Sequence, residues 1–156
     1  MDAAFDPKAY LQQLPWMDHD INALLEQRQQ YMDMATHITG TLDSIRVSGS
    51  GPDSKLEQCV IKLVDLERDI DAEIDAFVDL TRLIKRIIAQ IPDKRHRDIL
   101  TWRYINRWDW QRIADAMAYD RIWVWRLHGD ALQEFQKIFE KMPEFQKLAT
   151  KSNIEV

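Results

Sequence analysis

The sequence predicts an all-α protein. The chain of 156 residues has only four glycines and five prolines, too few for the turns of a β-sandwich or barrel. Long stretches also place apolar residues at alternating steps of three and four, the spacing of a helix face. A chain of this length can bury a core without disulfides. We therefore expect helices that pack through apolar stripes.

The first predicted helical region ends near residue 42. Asp6 followed by Pro7 is a typical helix start, whereas Pro15 is expected to divide the region into two helices. Residues 17–42 then follow a heptad stripe with one polar interruption. Residues 40–54 hold three of the four glycines and are predicted to form a flexible loop.

A second long helix is predicted between that loop and Pro92, with the strictest stripe in the chain. The stripe positions are Leu56, Cys59, Leu63, Leu66, Ile70, Glu73, Phe77, Leu80, Ile84, Ile87 and Ile91. Two such helices can pack as a long, coiled-coil-like antiparallel hairpin or against a second copy. We therefore assign residues 1–91 to an acidic helical hairpin that oligomerises or binds a partner, and we expect a homo-oligomer.

A second domain, residues 93–142, is predicted to begin at Asp93. Its three short helices are expected at about residues 94–106, 110–117 and 121–139. Asp109 and Asp120 precede the second and third helices and are expected to cap them. Residues 143–156 are predicted to be a polar tail that frays.

The last two predicted helices have helix-turn-helix spacing. Their inward positions are predicted to be Trp110, Ile113, Ala114, Met117, Tyr119, Val124, Leu127, Ala131, Leu132 and Phe135. Ala114 is small where the two helices would cross. The outward face of the second helix carries Arg121, Ile122, Trp123, Trp125, Arg126, Gly129 and Asp130. This face would enter the major groove of DNA.

The charge is distributed unevenly along the chain. Residues 1–80 contain 16 acidic and 6 basic residues, whereas residues 82–129 contain 11 basic and 5 acidic residues. This asymmetry is typical of a segment that binds a polyanion. A solvated helix surface is an equally common explanation, so the charge supports double-stranded DNA as a partner without requiring it.

Several motifs of the second domain resemble known transcription proteins. The run Ile99-Leu100-Thr101-Trp102-Arg103-Tyr104, then Trp110-Gln111-Arg112-Ile113-Ala114, Val124 and Ala131-Leu132, resembles region 4 of bacterial sigma-70 factors over about residues 97–138. Residues 121–129, preceded by the acidic hairpin and the Arg46-Val47-Ser48-Gly49-Ser50 loop, are similar to small phage-encoded regulators of the ArpU and RinA type. The resemblance implies a sequence-specific DNA-binding activator of phage or prophage genes in Gram-positive bacteria, with a sigma-like reading head. Host RNA polymerase is a second candidate partner.

Two features depart from the sigma-70 pattern. Ala118 occupies a turn position where such motifs usually have Gly with a positive φ, and an Ala there costs about 1 kcal/mol. Ile122, Trp123 and Trp125 stand where sigma factors carry polar DNA-reading side chains. Trp123 and Trp125 contact thymine methyl groups or a partner protein, or they fill the core, and the sequence leaves these roles open.

Eight residues are predicted to contact DNA. They are Arg107, Arg112, Arg121, Ile122, Trp123, Trp125, Arg126 and Gly129. Arg121 and Arg126 are assigned to bases because a guanidinium bonds guanine bidentately, with phosphate contact or plain solvent exposure as the alternative. Arg107 and Arg112 flank the first helix, where phosphate contacts are expected. Gly129 within a helix suggests close approach by DNA or another helix.

Enzymatic functions are not predicted. The acidic residues of the second long helix lack the Glu-x-x-Glu pairs that hold magnesium in all-α pyrophosphohydrolases, and no Glu-x-x-His pair of a di-iron bundle is present. No glycine-rich phosphate loop occurs either. We therefore predict no catalysis, no metal, no cofactor and no small-molecule substrate.

The chain is expected to reside in the cytoplasm of a bacterial host cell. Cys59 is its single cysteine, which excludes an internal disulfide and suits a reducing compartment. The first ten residues contain no apolar signal region, and no run of 18 uncharged apolar residues occurs. We expect neither secretion nor a membrane partner. The alternative function is a protein-interaction module, an adaptor hairpin that binds RNA polymerase or another regulator and does not contact DNA.

Overall fold

The computed structural model describes residues 5–42, 52–144 and 147. These residues form helices and no strand, which confirms the all-α prediction. The helices are α1 (Pro7–Leu42), α2 (Pro52–Ile88), α3 (Lys94–Leu100), α4 (Trp110–Met117) and α5 (Arg121–Glu140). A π-helical turn, Thr101–Ile105, continues α3. Within the described ranges, no helix combines the length and apolar character that a bilayer span requires.

Contacts divide the chain into two compact units. One unit comprises Met1–Pro15 together with Asp79–Val156, and the other comprises Trp16–Val78. The predicted domain boundary between residues 91 and 93 does not coincide with the boundaries of these units. The roles assigned to the predicted domains stay predictions.

Helix α1 begins where the sequence predicts but is not divided at Pro15. Pro7 is its first residue, and the amide of Lys8 donates a hydrogen bond to Asp6 Oδ1 at 3.0 Å. The expected division at Pro15 is wrong, because α1 continues through this residue. Pro15 has no amide hydrogen and removes one helix hydrogen bond. Leu11, one turn earlier, is fully buried, and its packing stabilises the helix at this point.

In the unit Trp16–Val78, burial along α2 follows the predicted stripe. Cys59, Leu66 and Ile70 are buried, and Leu63 and Glu73 are half-buried. The described residues between these positions are exposed. The stripe is therefore the side of α2 that is shielded from solvent within a single chain.

Contacts among the described residues join the α1 and α2 segments of this unit. Cys59 Sγ lies 3.3 Å from the carbonyl oxygen of Tyr31, and Lys62 Nζ lies 5.7 Å from the centroid of the Tyr31 ring. Arg28, the polar residue in the α1 stripe, places Nη1 3.4 Å from Glu67 Oε1. Because Cys59, Leu66 and Ile70 of the α2 stripe are buried within one chain, their burial does not by itself require a second copy. The expected homo-oligomer stays a prediction.

In the other unit, the start of α1 packs against the end of α5. The Tyr10 ring centroid lies 4.8 Å from that of Phe139 and 6.2 Å from that of Phe135. Phe5 lies 4.8 Å from Phe139. Burial raises the pKa of Tyr10 to about 12. This aromatic cluster explains why the first residues of α1 belong to the same compact unit as α5.

Aspartates cap the last three helices, as the sequence predicts. Asp93, Asp109 and Asp120 precede α3, α4 and α5, and their side chains accept backbone hydrogen bonds of 2.8, 2.8 and 2.9 Å. Each cap satisfies an amide that the first helical turn leaves unpaired. The helix predicted over 94–106 consists of α3 and the π-helical turn. It is followed by Arg107, whose φ is 59°.

Helices α3 and α4 pack on α5, and most predicted inward positions face this core. Ile113, Ala114, Val124, Leu127, Ala131 and Phe135 are buried, and Trp110, Met117 and Leu132 are half-buried. The prediction that Tyr119 points inward is wrong, because its side chain is 42% exposed. The reason is the backbone of Ala118, which turns the chain out of α4 just before this residue.

Ala118 has a left-handed backbone conformation, at the turn position where the sigma-70 pattern usually has glycine. Its φ is 55° and its ψ is 38°. The amide of Tyr119 donates to the carbonyl of Ala114 at 3.1 Å, and the amide of Ala118 donates to that of Asp115 at 3.2 Å. This pair of bonds forms a Schellman motif that ends α4. An Ala side chain in this conformation costs about 1 kcal/mol relative to Gly.

Two predicted segments lie largely outside the described residues. Of the predicted flexible loop 40–54, residues 40–42 belong to α1 and residues 52–54 to α2, so the loop prediction is wrong at its ends. Residues 43–51 lie outside the described residues. Of the predicted tail, residues 143, 144 and 147 are helical, and the remainder also lies outside the described residues.

Candidate nucleic-acid interface

The predicted outward residues of α5 form one exposed surface, which we call the α5 face. It consists of Arg121, Ile122, Trp123, Trp125, Arg126, Gly129 and Asp130. Its three large apolar side chains are 58 to 66% exposed. The interpretation that Trp123 and Trp125 fill the core is therefore wrong, and both side chains are accessible to a partner.

Buried residues on the opposite side of α5 hold this face outward. Val124, Leu127 and Ala131 are buried at spacings of three and four residues. Asp120 Oδ1 accepts a hydrogen bond of 2.9 Å from the amide of Trp123 and so fixes the first turn. Because one helix side is anchored in the core, the orientation of the α5 face is determined by packing.

Arg126 belongs to a row of four residues on the α5 face and also contacts Trp123. Ile122, Trp125, Arg126 and Gly129 have the spacing i, i+3, i+4 and i+7, which aligns them along one side of the helix, and we call them the central strip. Trp123 lies beside the central strip. The Cζ atom of Arg126 is 5.5 Å from the centroid of the Trp123 ring. This cation–π contact restricts the orientation of the guanidinium.

An open cavity of about 540 Å³ adjoins Trp123. Its lining residues are Asp93, Arg95, His96, Tyr119, Trp123, Arg126, Leu127 and Asp130. Arg95 Nη2 lies 2.9 Å from Asp93 Oδ2. Hydrogen bonds from Arg95 lower the pKa of Asp93 to about 2. Because these two charges compensate each other, the α3 side of the cavity contributes little net charge.

Of the two arginines predicted to contact phosphates, Arg107 precedes α4 and Arg112 lies in its first turn. The Cζ atom of Arg112 is 4.0 Å from the ring centroid of Trp108. This cation–π contact holds the guanidinium against the ring, and Arg112 itself is exposed. Arg107 is exposed and has a left-handed backbone. Both side chains are therefore at the surface, as the prediction requires.

A cluster of tryptophans and Arg103 supports the chain before α4. The rings of Trp102 and Trp108 stack with centroids 5.1 Å apart and an interplanar angle of 16°. Arg103 Nη1 donates to the carbonyl of Trp108 at 3.0 Å, and its Cζ lies 4.5 Å from the ring centroid of Trp110. The sequence analysis missed this cluster. The repeated Trp and Arg residues between positions 102 and 112 are the signal that would have indicated it.

Basic residues at the start of α3 have partners within the chain. Lys94 Nζ lies 2.5 Å from Asp98 Oδ2. Arg97 Nη1 donates to the carbonyl oxygens of Ile91 at 2.6 Å and Pro92 at 2.9 Å. These contacts hold the connection between α2 and α3, so part of the positive charge of this region has a structural role.

A buried hydrogen bond behind the α5 face was not predicted. Tyr104 Oη and His128 Nε2 are 2.8 Å apart, and the two residues are 2% and 8% exposed. Burial lowers the pKa of His128 to about 4 and raises that of Tyr104 to about 12. The imidazole is therefore neutral at pH 7. The signal was present, because His128 follows Val124 by four residues and precedes Ala131 by three.

The described residues do not form a metal centre, and comparisons with known proteins leave the sequence motifs untested. Among the residues that the structure describes, no three His, Cys, Asp or Glu residues are placed to hold a metal ion. Comparisons of the chain with protein-family models, curated proteins and solved structures found no match. The resemblances to sigma-70 region 4 and to ArpU and RinA regulators therefore stay predictions that rest on the sequence motifs.

Proposed function

We propose that this chain is a sequence-specific transcriptional regulator that binds double-stranded DNA through a helix-turn-helix formed by α4 and α5. The observation that carries the proposal is the α5 face, which presents guanidinium groups on a helix whose opposite side is buried. An α-helix fits the major groove, and residues in the first turns of such a helix contact base edges.

The arginines have two proposed roles. Arg121 and Arg126 contact bases, because a guanidinium can donate two hydrogen bonds to guanine in the major groove. Arg107 and Arg112 contact phosphates and so set the position of α5 on the duplex. The contact of Arg126 with Trp123 favours a base contact, because a guanidinium that is already restrained loses less conformational entropy on binding.

The wider parts of the proposal rest on the sequence motifs. They favour an activator of phage or prophage genes that acts in the cytoplasm of a bacterial host, with host RNA polymerase as a second partner. The acidic segment, residues 1–91, acts as an antiparallel hairpin that oligomerises or binds a partner. The protein acts without catalysis.

Alanine variants of three arginines test the proposal. Arg126→Ala is expected to lose about 1 to 3 kcal/mol on a DNA site selected from a random pool, and little on random DNA. Arg112→Ala is expected to weaken binding to all duplexes and to reduce the slope of log K against log salt by about one. Arg82→Ala removes the same charge from an exposed position of α2 outside the predicted contacts and serves as the control.

The expected pattern is specific to each position. If Arg126→Ala and Arg112→Ala bind selected and random DNA as the Arg82→Ala control does, the assigned roles of these arginines are wrong. Circular dichroism of each variant establishes that the helices are intact.

A second candidate function is a protein-interaction module, and the exposure of Ile122, Trp123 and Trp125 favours it. Exposed aromatic clusters are typical of protein interfaces. In this case α5 docks on RNA polymerase or another regulator and does not contact DNA. Trp125→Ala would then abolish regulation in cells, whereas Arg112→Ala and Arg126→Ala would leave DNA binding unchanged.

A further inference from the structure

The central strip of α5 offers apolar groups where a DNA-reading helix would meet base edges. Ile122 is 66% exposed and Trp125 is 64% exposed, and both align with Arg126. Ile122 has no hydrogen-bonding group in its side chain, and Trp125 has a single donor. Recognition by these two residues therefore depends mainly on apolar contact.

Thymine is the base that presents an apolar group in the major groove, its C5-methyl. We infer that Ile122 and Trp125 recognise thymine methyl groups, next to a guanine that Arg126 contacts. This inference rests on the proposed function and names the DNA sequences that it selects. The chemistry of the strip thus predicts sites in which thymines lie within a few base pairs of guanine.

Gly129 supports close approach of a partner to this strip. A Cβ atom built at Gly129 would have no neighbouring atom within 4 Å, so packing inside the described chain does not require glycine here. The residue lies four positions after Trp125 and three after Arg126. Because glycine has no side chain, the helix is thinner at this point, and a duplex can approach Trp125 and Arg126 more closely.

Trp123 provides a comparison within the same helix. It is 58% exposed, close to the value for Trp125, but it lies beside the cavity and contacts the guanidinium of Arg126. We assign Trp123 a positioning role toward Arg126. Its removal is expected to weaken binding without changing the response to thymine methyl groups.

Replacement of thymine by deoxyuridine tests the inference, because deoxyuridine lacks only the methyl group. Sites are first selected from a random duplex pool, and each thymine is then replaced in turn while affinity is measured by fluorescence anisotropy with the full chain. Each contacted methyl is expected to contribute about fourfold in affinity, as burial of one methylene-sized group does. Trp125→Ala is expected to lose this discrimination at the thymine that Trp125 contacts, whereas Trp123→Ala binds more weakly and retains it at every contacted thymine.

The outcomes separate the inference from the proposed function. Selected sites without thymine, or equal affinity for thymine and deoxyuridine duplexes, overturn the inference and leave DNA binding in place. Discrimination that Trp125→Ala retains and Trp123→Ala loses also overturns it. Failure to bind any duplex overturns both the inference and the proposed function.

Discussion

Acidification is expected to destabilise the unit that contains α5 through His128. This residue is 8% exposed, and burial lowers its pKa from 6.5 to about 4. Between these pH values the unfolded chain binds a proton that the folded chain does not. The contribution of neutral His128 to stability is therefore complete above about pH 6.5 and declines as the pH falls toward 4.

The magnitude follows from the size of the pKa difference. A difference of about 2.5 units corresponds to about 3 kcal/mol, of which about 2.5 kcal/mol is already lost at pH 4.5. This is a large share of the free energy of unfolding of a typical domain, which is about 5–15 kcal/mol. Asp93, with a pKa of about 2, loses its contribution only below its ordinary value of 3.8, so it does not interfere in this window.

Urea unfolding of the wild type and His128→Gln, followed by tryptophan fluorescence at pH 8 and pH 4.5, measures this effect. Gln stays neutral at both pH values and can still form a hydrogen bond with Tyr104. The wild type should lose about 2.5 kcal/mol on acidification and the variant much less. An equal loss in both proteins would show that His128 is not the source.

Three further predictions concern the turn, the α5 face and the oligomer. Ala118→Gly should raise the free energy of unfolding by about 1 kcal/mol and Tm by about 2–4 °C, because it relieves the left-handed strain. Ala116→Gly, at an exposed position of α4, should lower both quantities. If calorimetry shows that both variants change Tm in the same direction, the left-handed strain is contradicted. Gly129→Ala should raise Tm but weaken DNA binding, and unchanged affinity would argue against close approach at this residue. For the oligomer, Val64 is an apolar residue of α2 that is 50% exposed, so Val64→Asp should lower the assembled mass in light scattering with helicity retained, whereas Ile70→Asp, at a position 2% exposed, should unfold its unit. A wild type that is monomeric at high micromolar concentration would contradict the oligomer prediction.

The features that sequence predicted correctly are local ones. The capping roles of Asp109 and Asp120 depend on a few neighbouring residues, and so does the turn at Ala118. The burial of α2 follows from one short period repeated along the helix. The exposed side of α5 follows in the same way from the spacing of its apolar residues.

The features that sequence did not predict depend on contacts between distant residues. Phe5 and Tyr10 pack on Phe139, a pairing that no local spacing reveals. The continuity of α1 through Pro15 likewise requires tertiary packing to offset a locally unfavourable residue. The hydrogen bond of His128 was not predicted, because its partner Tyr104 lies 24 residues away in the sequence.

The central claim is that the α5 face and the arginines beside α4 bind duplex DNA. Its most direct test is the affinity of the full chain for a random-sequence duplex, measured between about 50 and 200 mM salt. With two to four phosphates neutralised, log K should fall linearly with log salt with a slope of about −2 to −4. Absence of binding at the lowest salt concentration, or binding that does not change with salt, would contradict the claim.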